Sequence, residues 1–127
     1  MSYTFMIKCA AISGFLAVAL GAFGAHGLKN TLSVEMMSVF QTSVQYQSIH
    51  TLALLAVAIL YIQFPGANLL AWSGLAFLLG LVIFSGSLYI LSLSGMSWLG
   101  AITPIGGLCF LLGWCLLLIS AFNLGND

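Results

Sequence analysis

Two histidines, His26 and His50, and one carboxylate, Glu35, are the side chains in this sequence best suited to proton transfer or metal binding. Together they would make a two-histidine, one-carboxylate set, but neither HxxxH nor HExxH spacing supports one, so no metal is expected. Ser85 and Ser87 sit in Phe84-Ser-Gly-Ser-Leu88. With no GxSxG elbow around them, they read better, with Gly86, as small residues that permit a close helix crossing. The glycines of Gly21-Ala-Phe-Gly-Ala-His-Gly-Leu-Lys29 form no phosphate loop, because no strand precedes them and GxxxxGK is absent. Cys9, Cys109 and Cys115 show no CxxC and lie in apolar runs, where cysteine packs as a small hydrophobe. No nucleophile, acid–base pair or metal set is in place, so the sequence points away from an enzyme and calls for no cofactor.

The setting of these residues follows from composition. Hydrophobic residues make up 62% of the 127 positions and charged residues 3%, and mean hydropathy is +1.20. Soluble domains carry about 25% charge, so this is a bilayer protein. Its four charged side chains, Lys8, Lys29, Glu35 and Asp127, fall near or beyond the ends of apolar runs, and none needs to cross hydrocarbon. Alternating ten-residue segments of an outer-membrane barrel are absent, so the spans are helices. With zero net charge and no basic cluster, nucleic acid is excluded as a partner and the lipid bilayer is the expected one.

Four spans are predicted, at about 7–27, 46–63, 69–92 and 98–123, in a single all-α integral membrane four-helix bundle. Lys8 followed by an apolar run has some look of a signal peptide, but the run is long enough to span and is read as helix 1. Its small residues Ala10, Gly14, Ala17, Gly21 and Ala25 form a stripe that a neighbouring helix, or a second copy, can approach closely. Ser33 or Thr31 can cap the next helix, with Glu35 in its first turn. Over about 32–45, Val34, Met37, Phe40 and Val44 oppose Glu35, Ser38, Thr42 and Gln45, so the segment reads as amphipathic. It lies at the interface or projects, then turns or continues into helix 2. Phe64-Pro65-Gly66-Ala67-Asn68 is a turn, with Asn68 suited to cap helix 3. Helix 4 begins either with Thr103 as N-cap and Pro104 at N1, or at Trp98 with a kink at Pro104. Gly106 lies in its first turns and is read as a packing position.

Four helices on short loops alternate direction, which gathers the polar groups at one membrane face. His26, Glu35, Tyr46, Gln47, His50, Ser85, Ser87, Tyr89 and Thr103 make up that candidate layer. His50 is its centre. An imidazole facing lipid would leave polar atoms unpaired at a cost of a few kcal/mol, so it is expected to point into the bundle. It then serves either as a neutral packing residue or as a proton-relay or ligand contact.

Gly21–Lys29, Tyr46-Gln-Ser-Ile-His50-Thr-Leu-Ala53, Phe84-Ser-Gly-Ser-Leu-Tyr89 and Thr103-Pro-Ile-Gly-Gly107 with Gly113-Trp114 resemble the signatures of the YgdD-like family. These are small bacterial inner-membrane proteins, known as a domain of unknown function and related to a small eukaryotic transmembrane protein. The resemblance implies four transmembrane helices, a multi-pass plasma-membrane location and no assigned activity. His26 and His50 are by resemblance its motif histidines. Relatives often end in a basic tail, whereas this chain ends Asn123-Leu-Gly-Asn-Asp127. With one lysine toward each face, charge leaves orientation open, and the resemblance alone places both termini inside.

Two functions follow as expectations. One is a structural or interaction module that packs with itself or with another membrane protein. The other is an oligomeric transport or lipid- or small-solute-binding protein, whose polar layer lines a cavity. A hydrated cavity among His26, Gln47, His50, Ser85 and Tyr89 favours the second, and a dry bonded core favours the first.

Overall fold

The structure, a computed structural model, describes residues 1–124. Four spans alternate in direction: Tyr3–His26, Val34–Gln63, Asn68–Ser94 and Ser97–Leu124. Asp127 lies outside the described residues.

Helix α1 (Tyr3–His26) starts where the Ser2 hydroxyl accepts from the Phe5 N–H, and ends as Gly27 donates back to the Phe23 carbonyl. Lys29, Asn30 and Thr31 carry the turn. Ser33 then caps α2 (Val34–Gln63) by accepting from the Met36 N–H at 3.2 Å, with Glu35 in the first turn. No glycine or proline interrupts this helix, and its 30 residues extend about 45 Å, longer than the roughly 30 Å hydrocarbon core.

The stretch 32–45 is therefore no separate interfacial element, and the span given as 46–63 begins twelve residues earlier, at Val34. Two contacts hold it upright. Phe40 is 1% exposed, packs edge-on to Tyr89 at 5.1 Å and fills a notch at Gly24, while the buried Ser43 hydroxyl donates to the Ser85 carbonyl at 2.7 Å. Of the expected apolar stripe, Phe40 and Val44 face α1 at Gly24 and Gly21, while Val34 at the helix start is 91% exposed.

Gly66, at φ 94°, makes the tight α2–α3 turn that a residue with a side chain would strain. Helix α3 (Asn68–Gly80) begins with Ala67 in the cap position and no side-chain cap, so Asn68 is the first helical residue, not its cap. It passes through a π-helical turn, Leu81–Ser85, into α4 (Gly86–Ser94), which closes on Gly95 in the left-handed region. A 3-10 turn at Ser97–Ala101 leads into α5 (Thr103–Leu124). Both readings of this region hold a part: helical backbone starts near Trp98, and the α-helix proper starts at Thr103. Pro104 occupies an N-terminal position where its missing N–H is not needed.

Helix α1 packs along α2, α2 packs against α3, the π turn and α4, and α5 packs against α3 and the π turn. The core joins Met6, Leu54, Val57, Leu70, Phe77 and Phe110. Phe15, Val18, Leu108 and Leu118 are exposed on the outside, where hydrocarbon rather than water solvates them. Since lipid tails are as apolar as leucine, helices adhere by close packing. Ala10 and Ala17 are buried, Gly14 lies against Thr51 and Gly21 against Val44. The stripe ends on Gly24 rather than Ala25, which is exposed. On the other side, Gly80 receives the Phe110 ring, Gly113 the Phe77 ring, and Gly106 the backbone of Phe84.

Candidate functional site

The polar layer divides into four hydrogen-bonded sets, each joining particular helices. Gln47 ties three spans together: its Nε2 donates to the Ser13 carbonyl on α1 at 3.0 Å, and its Oε1 accepts from the Tyr89 hydroxyl on α4 at 2.5 Å. Ser13 and Thr51 share a hydroxyl–hydroxyl bond of 2.6 Å beside it. One helical turn earlier on α2, Ser43 and, on the facing π turn, Ser85 each donate to the other's carbonyl, at 2.7 and 3.3 Å. Ser85 ends the π turn, so the carbonyl taken up by Ser43 belongs to a segment whose regular ladder is shifted. Ser87 and Thr103 bond at 2.7 Å, joining α4 to α5, and Thr103 also donates to the Leu99 carbonyl at 3.1 Å.

His50 forms the fourth set. Nδ1 lies 2.8 Å from the Tyr46 carbonyl, one turn earlier, and Nε2 lies 3.3 Å from the Trp114 indole nitrogen on α5. A carbonyl only accepts and an indole N–H only donates, so this pattern assigns the neutral Nδ1–H tautomer. The ring stacks on Phe110 at a centroid distance of 3.6 Å and 11° between planes, with Phe77 and Trp114 as further walls. Both ring nitrogens are committed, and no carboxylate, amine or thiol is among these partners.

The nine residues of the expected layer do not converge on one cavity. His26 and Glu35 are exposed at the ends of α1 and α2. No group of three or more His, Cys, Asp or Glu comes together among the described residues, so the two-histidine, one-carboxylate set is not assembled. Tyr46 is 39% exposed, with its ring tilted against Phe84 at 4.6 Å. Gly86, expected to permit a close crossing, meets nothing within 4 Å where a Cβ would sit; the close approach is made by Gly106 against Phe84. Sequence reasoning gave no role to Ser13, Ser43 or Thr51, and named Trp114 only within the Gly113-Trp114 motif. Ser13 adjoins Gly14 in the small-residue stripe and Thr51 adjoins His50, and those adjacencies were the available signals.

Gly86 opens on a lateral groove of about 400 Å³ between α1 and the π turn with α4. Ile12, Leu16, Leu78, Leu81 and Val82 form its walls, and Gln47 and Tyr89 its floor. All of these lie well inside the spans, so the groove faces hydrocarbon.

The profile of the family described as "Protein of unknown function (DUF423)" matches residues 20–107. The UPF0382 inner membrane protein YgdD of Escherichia coli (strain K12) is 47% identical over 124 residues, 98% of this chain and 94% of that one. The UPF0382 membrane protein YwdK of Bacillus subtilis (strain 168) is 45% identical over 111 residues, 87% of this chain and 90% of its own. The UPF0382 membrane protein SSP2132 of Staphylococcus saprophyticus is 46% identical over 114 residues, 90% and 93% of the two chains. No solved structure matches. With matched relatives along almost its whole length and four spans that could cross a bilayer, the chain belongs to the DUF423 family, as a multi-pass protein of the inner membrane.

Proposed function

We propose that this protein is a structural or interaction module of the membrane, without catalytic turnover or a conducting path of its own. One observation carries the reading: among the described residues, every fully buried side-chain nitrogen or oxygen has a hydrogen-bond partner. A transport path needs polar atoms free to exchange partners with a solute, whereas Gln47, His50, Ser85 and Ser87 spend theirs on other helices. The exposed apolar faces of α1 and α5 then meet lipid, a second copy or another membrane protein. The test is flux through sealed vesicles carrying the purified protein, with dyes reporting entry of protons and of small neutral solutes. The expected rates equal those of protein-free vesicles; entry above that level which disappears in His50→Gln would overturn the proposal.

The groove beside Gly86 favours a second reading, lipid binding. A helix is about 10 Å across, and the roughly 16 Å of groove between the levels of Cys9 and Leu20 would have to exceed 1,000 Å³ to seat one. At about 400 Å³ it suits a single acyl chain. Gly86→Leu is expected to fill it without disturbing the backbone. A photoreactive acyl chain should label Leu16 and Val82 in the parent and lose both labels in the variant. Equal labelling of the two proteins removes this second reading.

A further inference from the structure

At the opposite end of the bundle from His26 and Glu35, the α2–α3 turn and the last turn of α5 border an open cavity of about 500 Å³. Gln63, Phe64, Pro65, Asn68, Ser120 and Asn123 line it, and among the described residues none that lines it is charged. It lies where the spans end, at the depth of lipid headgroups.

Ser120 is unlike the other buried hydroxyls. Ser43, Thr51, Ser73, Ser85, Ser87 and Ser92 each bond a carbonyl or another hydroxyl. Ser120 is 2% exposed, has no such bond among the described residues, and lines this cavity. Its hydroxyl escapes the fully buried class that carries no unpaired atoms, so what surface it keeps is open to the cavity. A hydroxyl so placed, forgoing even the carbonyl one turn back that Thr42 and Ser48 use, is available to a ligand.

The second feature is the start of α3. No side chain caps it. The Leu70 and Ala71 N–H groups reach the Ala67 carbonyl, but those of Asn68 and Leu69 have no acceptor among the described residues. Free N–H groups at a helix N-terminus, with its positive dipole end, hold a phosphate oxygen well. The C-terminal ends of α2 and α5 border the same cavity and carry the opposite partial charge. A bare anion would meet one favourable helix end and two unfavourable ones. A group that joins phosphate to a cationic donor satisfies all three.

We propose that this cavity binds a phosphoethanolamine group, its phosphate on the α3 N-terminus and the Ser120 hydroxyl, its ammonium toward the C-terminal ends of α2 and α5. The carboxamides of Gln63, Asn68 and Asn123 both donate and accept, which suits a zwitterion. This goes beyond the module reading and does not depend on it, since the flux measurement leaves headgroup binding untouched.

The experiment titrates delipidated protein in detergent with phosphatidylethanolamine, phosphatidylcholine and phosphatidylglycerol of matched chains, counting bound lipid by native mass spectrometry. Phosphatidylethanolamine is expected to bind at least about fivefold more tightly than either of the others, since the choline headgroup lacks N–H donors and the glycerol one is a net anion. Asn68→Asp separates binding from folding. A carboxylate in the first turn suits the α3 dipole, so the thermal midpoint holds or rises, while repulsion of the phosphate weakens binding about fivefold or more. Ser120→Ala weakens it as well. Soluble glycerophosphoethanolamine, which keeps the zwitterionic phosphodiester, shows by competing that the group alone suffices, and lipid retained without competition assigns the lipid as source; either sustains the site. Equal binding of the three lipids, or phosphatidylethanolamine binding unmoved by both variants, overturns it.

Discussion

Gly106→Val is expected to destabilise the protein by more than about 3 kcal/mol, or to prevent its accumulation, because no neighbour can yield. A Cβ at Gly106 would fall inside van der Waals contact of the backbone nitrogen and Cα of Phe84. Where glycine meets a ring, as Gly80 meets Phe110, the ring can turn aside; a backbone cannot. Phe84 lies in the π turn that the Ser43–Ser85 pair ties to α2. Helix α5 would therefore have to move off, breaking the Ser87–Thr103 bond and lifting Phe110 from His50. Gly107 is the internal control. Its Cβ would meet the Phe84 ring no closer than 3.8 Å, an ordinary contact, and alanine there gains helix propensity of up to about 1 kcal/mol. Thermal unfolding in detergent followed by circular dichroism checks both. Gly106→Val with the parent's midpoint would remove the close crossing as a source of stability.

That contrast shows why part of the architecture was legible and part was not. Four spans follow from hydropathy and loop chemistry, since apolar runs of that length have no other use. The small-residue stripe on α1 follows from helical period alone. Which glycine of two neighbours carries a close crossing does not, because Gly106 and Gly107 differ only in where a distant backbone passes. For the same reason Gly86 looked like a crossing residue and opens on a groove. For the 32–45 stretch the pattern left two arrangements open, and the one that continues into helix 2 is the one that forms: a stripe cannot say whether lipid or helix covers it, and Phe40 answers to Gly24 and Tyr89.

The polar layer was legible as a set of residues, and its wiring was not. Gln47 and Tyr89 were both in the expected layer and do meet, yet the third member of their network, Ser13, comes from the helix whose small residues drew attention first. His26 and Glu35 share a membrane face with the rest but stand at helix ends, where an exposed side chain reaches interface rather than core. Placing residues at one end of a bundle needs only the direction of each helix. Placing them in one another's hydrogen-bond range needs the rotation of each helix about its axis, which a mostly apolar, nearly unpatterned surface leaves weakly encoded.

His50→Ala is expected to lower stability by about 3 kcal/mol, the range for removing a buried ring and leaving a cavity. Two effects add: Phe110 loses a partner stacked at 3.6 Å, and the Trp114 indole N–H loses its acceptor. Two further substitutions separate them. His50→Phe keeps a ring against Phe110 and gives up both hydrogen bonds, so it should recover much of the loss if stacking dominates. His50→Gln retains a donor and an acceptor without the ring, and should recover more than His50→Phe if the bonds to Tyr46 and Trp114 dominate. Thermal midpoints rank the three, and Trp114 emission reports directly on the lost indole partner. The ranking also bears on function: a histidine kept for packing is replaceable by whichever residue restores the midpoint, with no further property lost. A His50→Ala protein as stable as its parent would take away the packing explanation, leaving a buried imidazole between α2 and α5 whose retention only a reaction or a ligand could explain.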